Sequence, residues 1–171
     1  MLAWRGNRWS GWTGGAAVVA LLVAAGAMAT PVPAFTATDL TSGARPVCRA
    51  AGADNRLALA FTHSMYGGRV VEEYVATRSG ELRRTSVTTE NAAAAEYYAY
   101  YGATTRDGKR FRVVTPAEEF AQLVVRVDRV GDQGLTVSGE EIDLVAATGV
   151  GHQVRLAVEP VTFGRRLLGA C

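Results

Sequence analysis

Beyond residue 30 no stretch of this chain repeats its apolar residues with the 3.6-residue period of a helix. Short alternating runs appear instead, most of them separated by glycine. Leu57-Ala-Leu-Ala-Phe-Thr-His63 alternates with period two. Val70 to Arg78, Leu82 to Thr89, Arg110 to Val114, Leu123 to Val130, Leu135 to Val137, Ile142 to Val145 and Val154 to Val158 follow at short intervals. Such spacing predicts an all-β fold, a single antiparallel β-sandwich or open barrel. One short helix is expected inside it. Thr115-Pro116-Ala117-Glu118 reads as a capping box, and a helix over about 116–121 should follow.

The first thirty residues are of another kind. Arg5 and Arg8 precede an uncharged run from Gly14 to Ala29 that ends in the small-x-small triplet Ala27-Met28-Ala29. A basic start, a short apolar core and such a triplet match a secretory signal peptide, cleaved after Ala29. No Arg-Arg pair marks a twin-arginine signal, and no cysteine follows the core for lipid attachment. An uncleaved anchor helix also fits, with Trp4, Trp9 and Trp12 at the bilayer interface, and only then is a membrane contact expected. The organisation read from the sequence is 1–29 signal peptide, 30–46 linker rich in Pro, Gly and Thr, and 47–171 β-rich domain. The expected location is extracytoplasmic: periplasm, cell envelope or secreted.

The net charge of +2 resides in the leader. Removing residues 1–29 takes away two arginines and no acid, leaving the domain balanced, without the basic footprint of a nucleic-acid binder. In an oxidising compartment Cys48 and Cys171 become disulfide candidates. A bridge closing so long a loop is worth about 4–5 kcal/mol in the chain-entropy model. Two free thiols are the alternative.

Candidate chemistry centres on the first hairpin. With a loop over Met65 to Gly68, His63 faces Val70 and Phe61 faces Glu72, which makes His63 and Glu72 diagonal neighbours on one face. A one-residue slip would separate them. His63 then reads either as a core histidine satisfied by Glu72 or as a base oriented by it, with Ser64 or a tyrosine hydroxyl nearby. Ser64 points to the opposite face from His63, and no Gly-x-Ser-x-Gly elbow exists. His63, Glu72 and His152 are metal donors by type, but no metal-ligand spacing links them, and nothing implies a cofactor. The pairs Glu72-Glu73, Glu118-Glu119 and Glu140-Glu141 should each split across a strand's two faces. Tyr97, Tyr98, Tyr100 and Tyr101 read as an extended segment, one side packed and the other offered to a partner or a sugar-like ligand. The binding candidates are therefore His63, Ser64, Glu72, Tyr98, Tyr100 and Tyr101.

The stretch Ala60-Phe-Thr-His-Ser-Met-Tyr-Gly-Gly-Arg-Val-Val-Glu-Glu-Tyr74 resembles the opening hairpin of the bacterial domain-of-unknown-function family 1850. Phe61, Thr62, His63, Ser64, Glu72 and Tyr74 carry the resemblance, which extends over about 48–160, and Cys48 resembles a cysteine ahead of the family's first strand. The family's Gly-Ala-Gly segment is reduced here to Gly102-Ala103. The resemblance implies a small exported protein, of a kind often encoded beside TRAP-type organic-acid transporters, and so a membrane transporter component as a partner. It assigns no catalytic residue. The expected function is a non-enzymatic binding or accessory domain. A structural envelope protein, and a hydrolase using His63 and Glu72, are the alternatives.

Overall fold

In a computed structural model the described residues are 28–99 and 103–167, with positions 17, 19, 20, 22, 25 and 26. The described positions before residue 30 are helical, and most of the expected signal segment lies outside the described residues. Among the described residues no helix is long and apolar enough to cross a membrane. Contacts divide the chain into two compact units, Pro33–Pro160 and the terminal stretches Met1–Val32 with Val161–Cys171. The folded β-domain is the first of these.

The fold is all-β, as the alternation requires. Twelve strands are described: β1 (Pro31–Asp39), β2 (Val47–Ala50), β3 (Arg56–Thr62), β4 (Arg69–Ala76), β5 (Leu82–Thr89), β6 (Thr104–Asp107), β7 (Arg110–Val113), β8 (Glu119–Phe120), β9 (Leu123–Arg126), β10 (Gly134–Val137), β11 (Glu140–Asp143) and β12 (Gln153–Thr162). Three short helices accompany them, α1 (Ala92–Tyr98), α2 (Leu144–Thr148) and α3 (Phe163–Leu167). One sheet runs β2-β1-β12-β9. The larger runs β11-β10-β3-β4-β5-β7-β6, with β8 also pairing β5. Every strand pair is antiparallel. No barrel closes.

Two apolar clusters form the core. The larger draws Phe35, Val47, Leu156 and Val158 from the small sheet and Leu57, Leu59, Tyr74, Leu82, Leu135 and Val137 from the large one. The smaller lies under α1 and contains Val70, Val87, Ala94, Ala95 and Val113. Phe61 packs against both.

The segment 30–46 is not a free linker. Extended as expected, it supplies β1, an interior strand whose Ala34, Phe35, Thr36 and Ala37 are buried. Prolines at 31 and 33 stand at the strand's start, where a missing amide is tolerated. The capping box also gives way. Residues 114–120 run along the edge of β5, where the Glu118 carbonyl accepts the Arg84 amide at 3.0 Å. Phe120 pairs with Leu82 and Glu119 with Arg83. Pairing and burial of Phe120 outweigh the local helical signal, and the Thr115 hydroxyl is buried without a partner among the described residues. By sequence Asn91 to Ala95 could be one helical turn or a loop, and the tyrosines after it read as extended; the helix forms instead at Ala92–Tyr98. Asn91 caps it, accepting from the amides of Ala93 and Ala94 at 2.9 and 3.2 Å, and four alanines suit the helix.

The β4–β5 ladder contains a bulge that shapes the site. A two-residue Ser79-Gly80 turn predicts Ala76 opposite Arg83, but Ala76 pairs with Leu82; the predicted register is met only beyond the bulge, where Glu72 pairs with Val87 and Glu73 with Ser86. Below them Tyr74 pairs with Arg84, so Thr85 is the extra residue. Leu82 and Val87 are five positions apart, yet both are fully buried. A regular strand would put them on opposite faces. The same shift turns Arg84 to the face that carries Glu72 and Tyr74.

Deleting Thr85 should therefore turn either Val87 or the Arg84 and Leu82 pair outward. We expect a loss of about 3 kcal/mol or more in urea unfolding. Thr85→Ala, which removes only a hydroxyl bond to the Glu73 carbonyl, should cost about 1 kcal/mol.

Candidate functional site

The hairpin joining β3 and β4 has a six-residue loop, 63–68, rather than the four residues expected. Thr62 pairs with Arg69, Phe61 with Val70 and Leu59 with Glu72. The register is displaced by two residues, which preserves the face but carries His63 beyond the end of the strand. His63 and Glu72 are thus not diagonal neighbours. The cause is the histidine itself. Its amide donates to the Gly68 carbonyl at 3.0 Å, and its carbonyl accepts from Gly67 at 2.9 Å. Its ring Nδ1 accepts from the amides of Met65 and Tyr66 at 3.2 and 3.3 Å. The imidazole caps the loop as an aspartate side chain caps a turn. With Nδ1 accepting, the proton of the neutral ring resides on Nε2.

Helix α1 packs against this loop. The Asn91 amide group donates to the Tyr66 carbonyl at 2.7 Å, so one side chain caps the helix and clasps the loop. Gly68 meets Asn91 closely: a Cβ there would stand 3.1 Å from the asparagine Cβ, and φ is +77°. Both facts favour glycine. Four rings gather where loop and helix meet. The His63 centroid lies 5.0 Å from Tyr66, 5.5 Å from Tyr97 and 6.1 Å from Tyr98, the last two edge-on. His63 is buried, whereas Tyr66 is 40% and Tyr97 57% exposed, and Met65 beside them is 74% exposed. Tyr66 and Tyr97 lie 6.3 Å apart and form the outer surface.

Beneath them lies Glu72, only 8% exposed. The Tyr74 hydroxyl donates to it at 2.5 Å, and the Tyr98 phenol lies close enough to feel its charge. The Arg84 guanidinium stands 3.8 Å away, also bonds Glu118 and lies over the Phe120 ring at 5.8 Å. Arg84 Nε is buried without a partner among the described residues. Both phenols are held well above the ordinary tyrosine value. Burial is the largest cause and the Glu72 charge the next, with Arg84 opposing.

Tyr98 is the link between the predicted residues. It meets the His63 ring on one side and the Glu72 carboxylate on the other. His63, Glu72 and Tyr98 are thus brought together, by a tyrosine rather than by register. Ser64 is exposed in the loop. Tyr100 and Tyr101 lie outside the described residues, and so does Cys171. Cys48 is half-buried in β2. His152 belongs to another group: its Nδ1 lies 2.8 Å from Asp39, which also accepts from Ser42 and the Thr41 amide. Those bonds, the Ser42 hydroxyl foremost, hold the Asp39 carboxyl far below the usual range. Among the described residues no group of three or more His, Cys, Asp or Glu could hold a metal.

Sequence reasoning did not place Tyr66, Arg84 or Asn91 at the site, and Tyr74 entered only through the family resemblance. Asn91 before an alanine run was a legible helix cap. Arg84 was not legible, because only the bulge turns it inward.

A family model described as Domain of unknown function (DUF1850) matches residues 57–144, more than half of the chain. The chain matches no curated protein and no solved structure.

The raised tyrosines have a pH consequence. An unfolded tyrosine ionises near pH 10; the folded ones hold their protons beyond that. Their contribution to stability is complete below about pH 10 and is lost as pH climbs toward the folded values. We expect absorbance at 295 nm to show two of the six tyrosines silent until alkaline unfolding. Glu72→Gln should bring both midpoints down without restoring the ordinary value, since burial remains.

Proposed function

The chain belongs to this DUF1850 family, and we propose that it is an exported, non-enzymatic β-domain that binds a partner through the aromatic surface of loop 63–68 and α1. The observation that carries this reading is the exposure of Met65, Tyr66 and Tyr97 on a rigid base. Tyrosine presents an apolar face and a hydroxyl at low entropic cost, which suits it to interfaces. The base is fixed by Asn91, by the His63 cap and by Tyr98 on Glu72. The partner suggested by the family resemblance is a component of a TRAP-type transporter.

A hydrolase needs Glu72 to orient His63. Here His63 Nδ1 accepts two backbone amides, and Glu72 accepts from the Tyr74 hydroxyl. That arrangement favours binding over catalysis. Export rests on the leader-like residues 1–29. A Cys48–Cys171 bridge belongs to the same reading: these are the chain's two cysteines, and an exported domain meets an oxidising compartment.

Two measurements test the proposal. Wild-type protein should recover a transport component from solubilised membranes, and Tyr66→Ala/Tyr97→Ala should recover about tenfold less at an unchanged melting temperature; recovery of none by the wild type counts against the partner. Intact mass should begin at Thr30, with no cysteine alkylated before reduction. A mass that retains Met1, or alkylation without reductant, counts against export by cleavage or against the bridge.

A further inference from the structure

The face of the large sheet opposite its core is not flat. Across β11, β10, β3 and β4 it holds an open trough of about 540 Å³, a volume ordinary for small-ligand sites. Its floor is made of small residues in register: Gly134 pairs with Ala60, and Ala60 with Val71. The aromatic surface takes no part in it, and all its lining residues lie within the family-matched segment 57–144.

Opposite charges stand at two places on its walls. Arg69 is fixed on one side, its Nη1 donating to the Asp132 carbonyl at 2.7 Å and to the Asp132 carboxylate at 3.2 Å. Its Nη2 has no acceptor among the described residues and stands 3.7 Å from where a Cβ on Gly134 would be. A side chain at 134 would fill the space under the guanidinium. Glu141 lies across the trough on β11, opposite Thr136. Neither the Glu141 carboxylate nor the Thr136 hydroxyl has a partner among the described residues. Asp143 differs, because its Oδ1 caps α2 by accepting from Val145 and Ala146.

The register sets the spacing. Arg69 covers Gly134, while Glu141 is one strand over and two residues along. With about 4.8 Å between strands and 3.4 Å per residue, the two positions are roughly 8 Å apart. Two residues of extended chain span about 7 Å and three about 10 Å. A lone anion at Arg69 would face Asp132, Glu141 and Asp143 along the same walls. A ligand that carries its own cation at the far end would not be repelled.

We propose that this trough binds a short peptide with free termini, two or three residues long. Its C-terminal carboxylate lies on Arg69 Nη2 and its N-terminal ammonium on Glu141. The Thr136 hydroxyl lies beneath the peptide unit, and small side chains rest on Ala60 and Val71. This site is independent of the partner surface proposed above, and either can fail without the other.

The probes are dialanine, N-acetyl-dialanine, which lacks the ammonium, and dialanine amide, which lacks the carboxylate. Each is titrated into the ¹⁵N-labelled full-length protein. Dialanine should give saturable shifts at the amides of Ala60, Gly134 and Thr136, and each altered probe should bind about tenfold more weakly, about 1.4 kcal/mol. Arg69→Gln should abolish the preference for dialanine over its amide but keep the preference over the acetylated form. Glu141→Gln should do the reverse. A Cβ at Gly134 meets only ordinary contacts, so Gly134→Ala should fold and weaken dialanine. No saturable shift, equal binding of all three probes, or an unchanged preference in both charge variants overturns the proposal.

Discussion

The arrangement of the whole site follows from burying one carboxylate. Along the inner face of β4 the residues run Val70, Glu72, Tyr74, and the outer two belong to different apolar clusters. Glu72 sits at the seam between them. An ion there loses its water, a cost of several kcal/mol that must be met by hydrogen bonds and an opposite charge. Tyr74 reaches it from the same strand, Arg84 from the next, and Tyr98 from α1. Each partner arrives by its own structural device. The bulge at Thr85 turns Arg84 inward, and the Asn91 cap fixes the start of the helix that carries Tyr98.

What lies above the carboxylate inherits this order. Tyr98 spans from Glu72 to the His63 ring, and His63 holds the loop amides. The exposed pair Tyr66 and Tyr97 therefore stands on a scaffold tied at three points. Exposed aromatic surface is usually a liability. Held rigidly, it loses little entropy on association, which is the physical advantage of a preorganised contact.

The strands and the antiparallel sandwich were legible, because period-two alternation and glycine punctuation are local signals. The faces of β3 and β4 were also legible, since a register error of two residues leaves them unchanged. The position of His63 was not, because its ring bonds to the loop are a tertiary choice that lengthens the turn. Segment 30–46 misled through its prolines, which weaken a strand's propensity but not its burial. Thr115 to Glu118 misled the other way, as its cap signal lost to pairing with β5. Glu72 was singled out through a register two residues off, and Tyr98 as one of four tyrosines in a segment read as extended. Arg84 depended on a bulge that nothing in Leu-Arg-Arg-Thr-Ser-Val announces.

The claim that Glu72 organises both the loop and the helix is tested most directly by native-state hydrogen exchange on Glu72→Gln. The amide retains a polar group of the same size but removes the charge that two phenols and a guanidinium converge on. Protection should fall together at the Met65 and Tyr66 amides, which bond His63, and at Ala95, whose amide bonds the Asn91 carbonyl. The β10–β11 ladder should keep its rates. Loss confined to the β4–β5 ladder, or spread evenly over the domain, would contradict the claim and leave Glu72 as an ordinary buried ion.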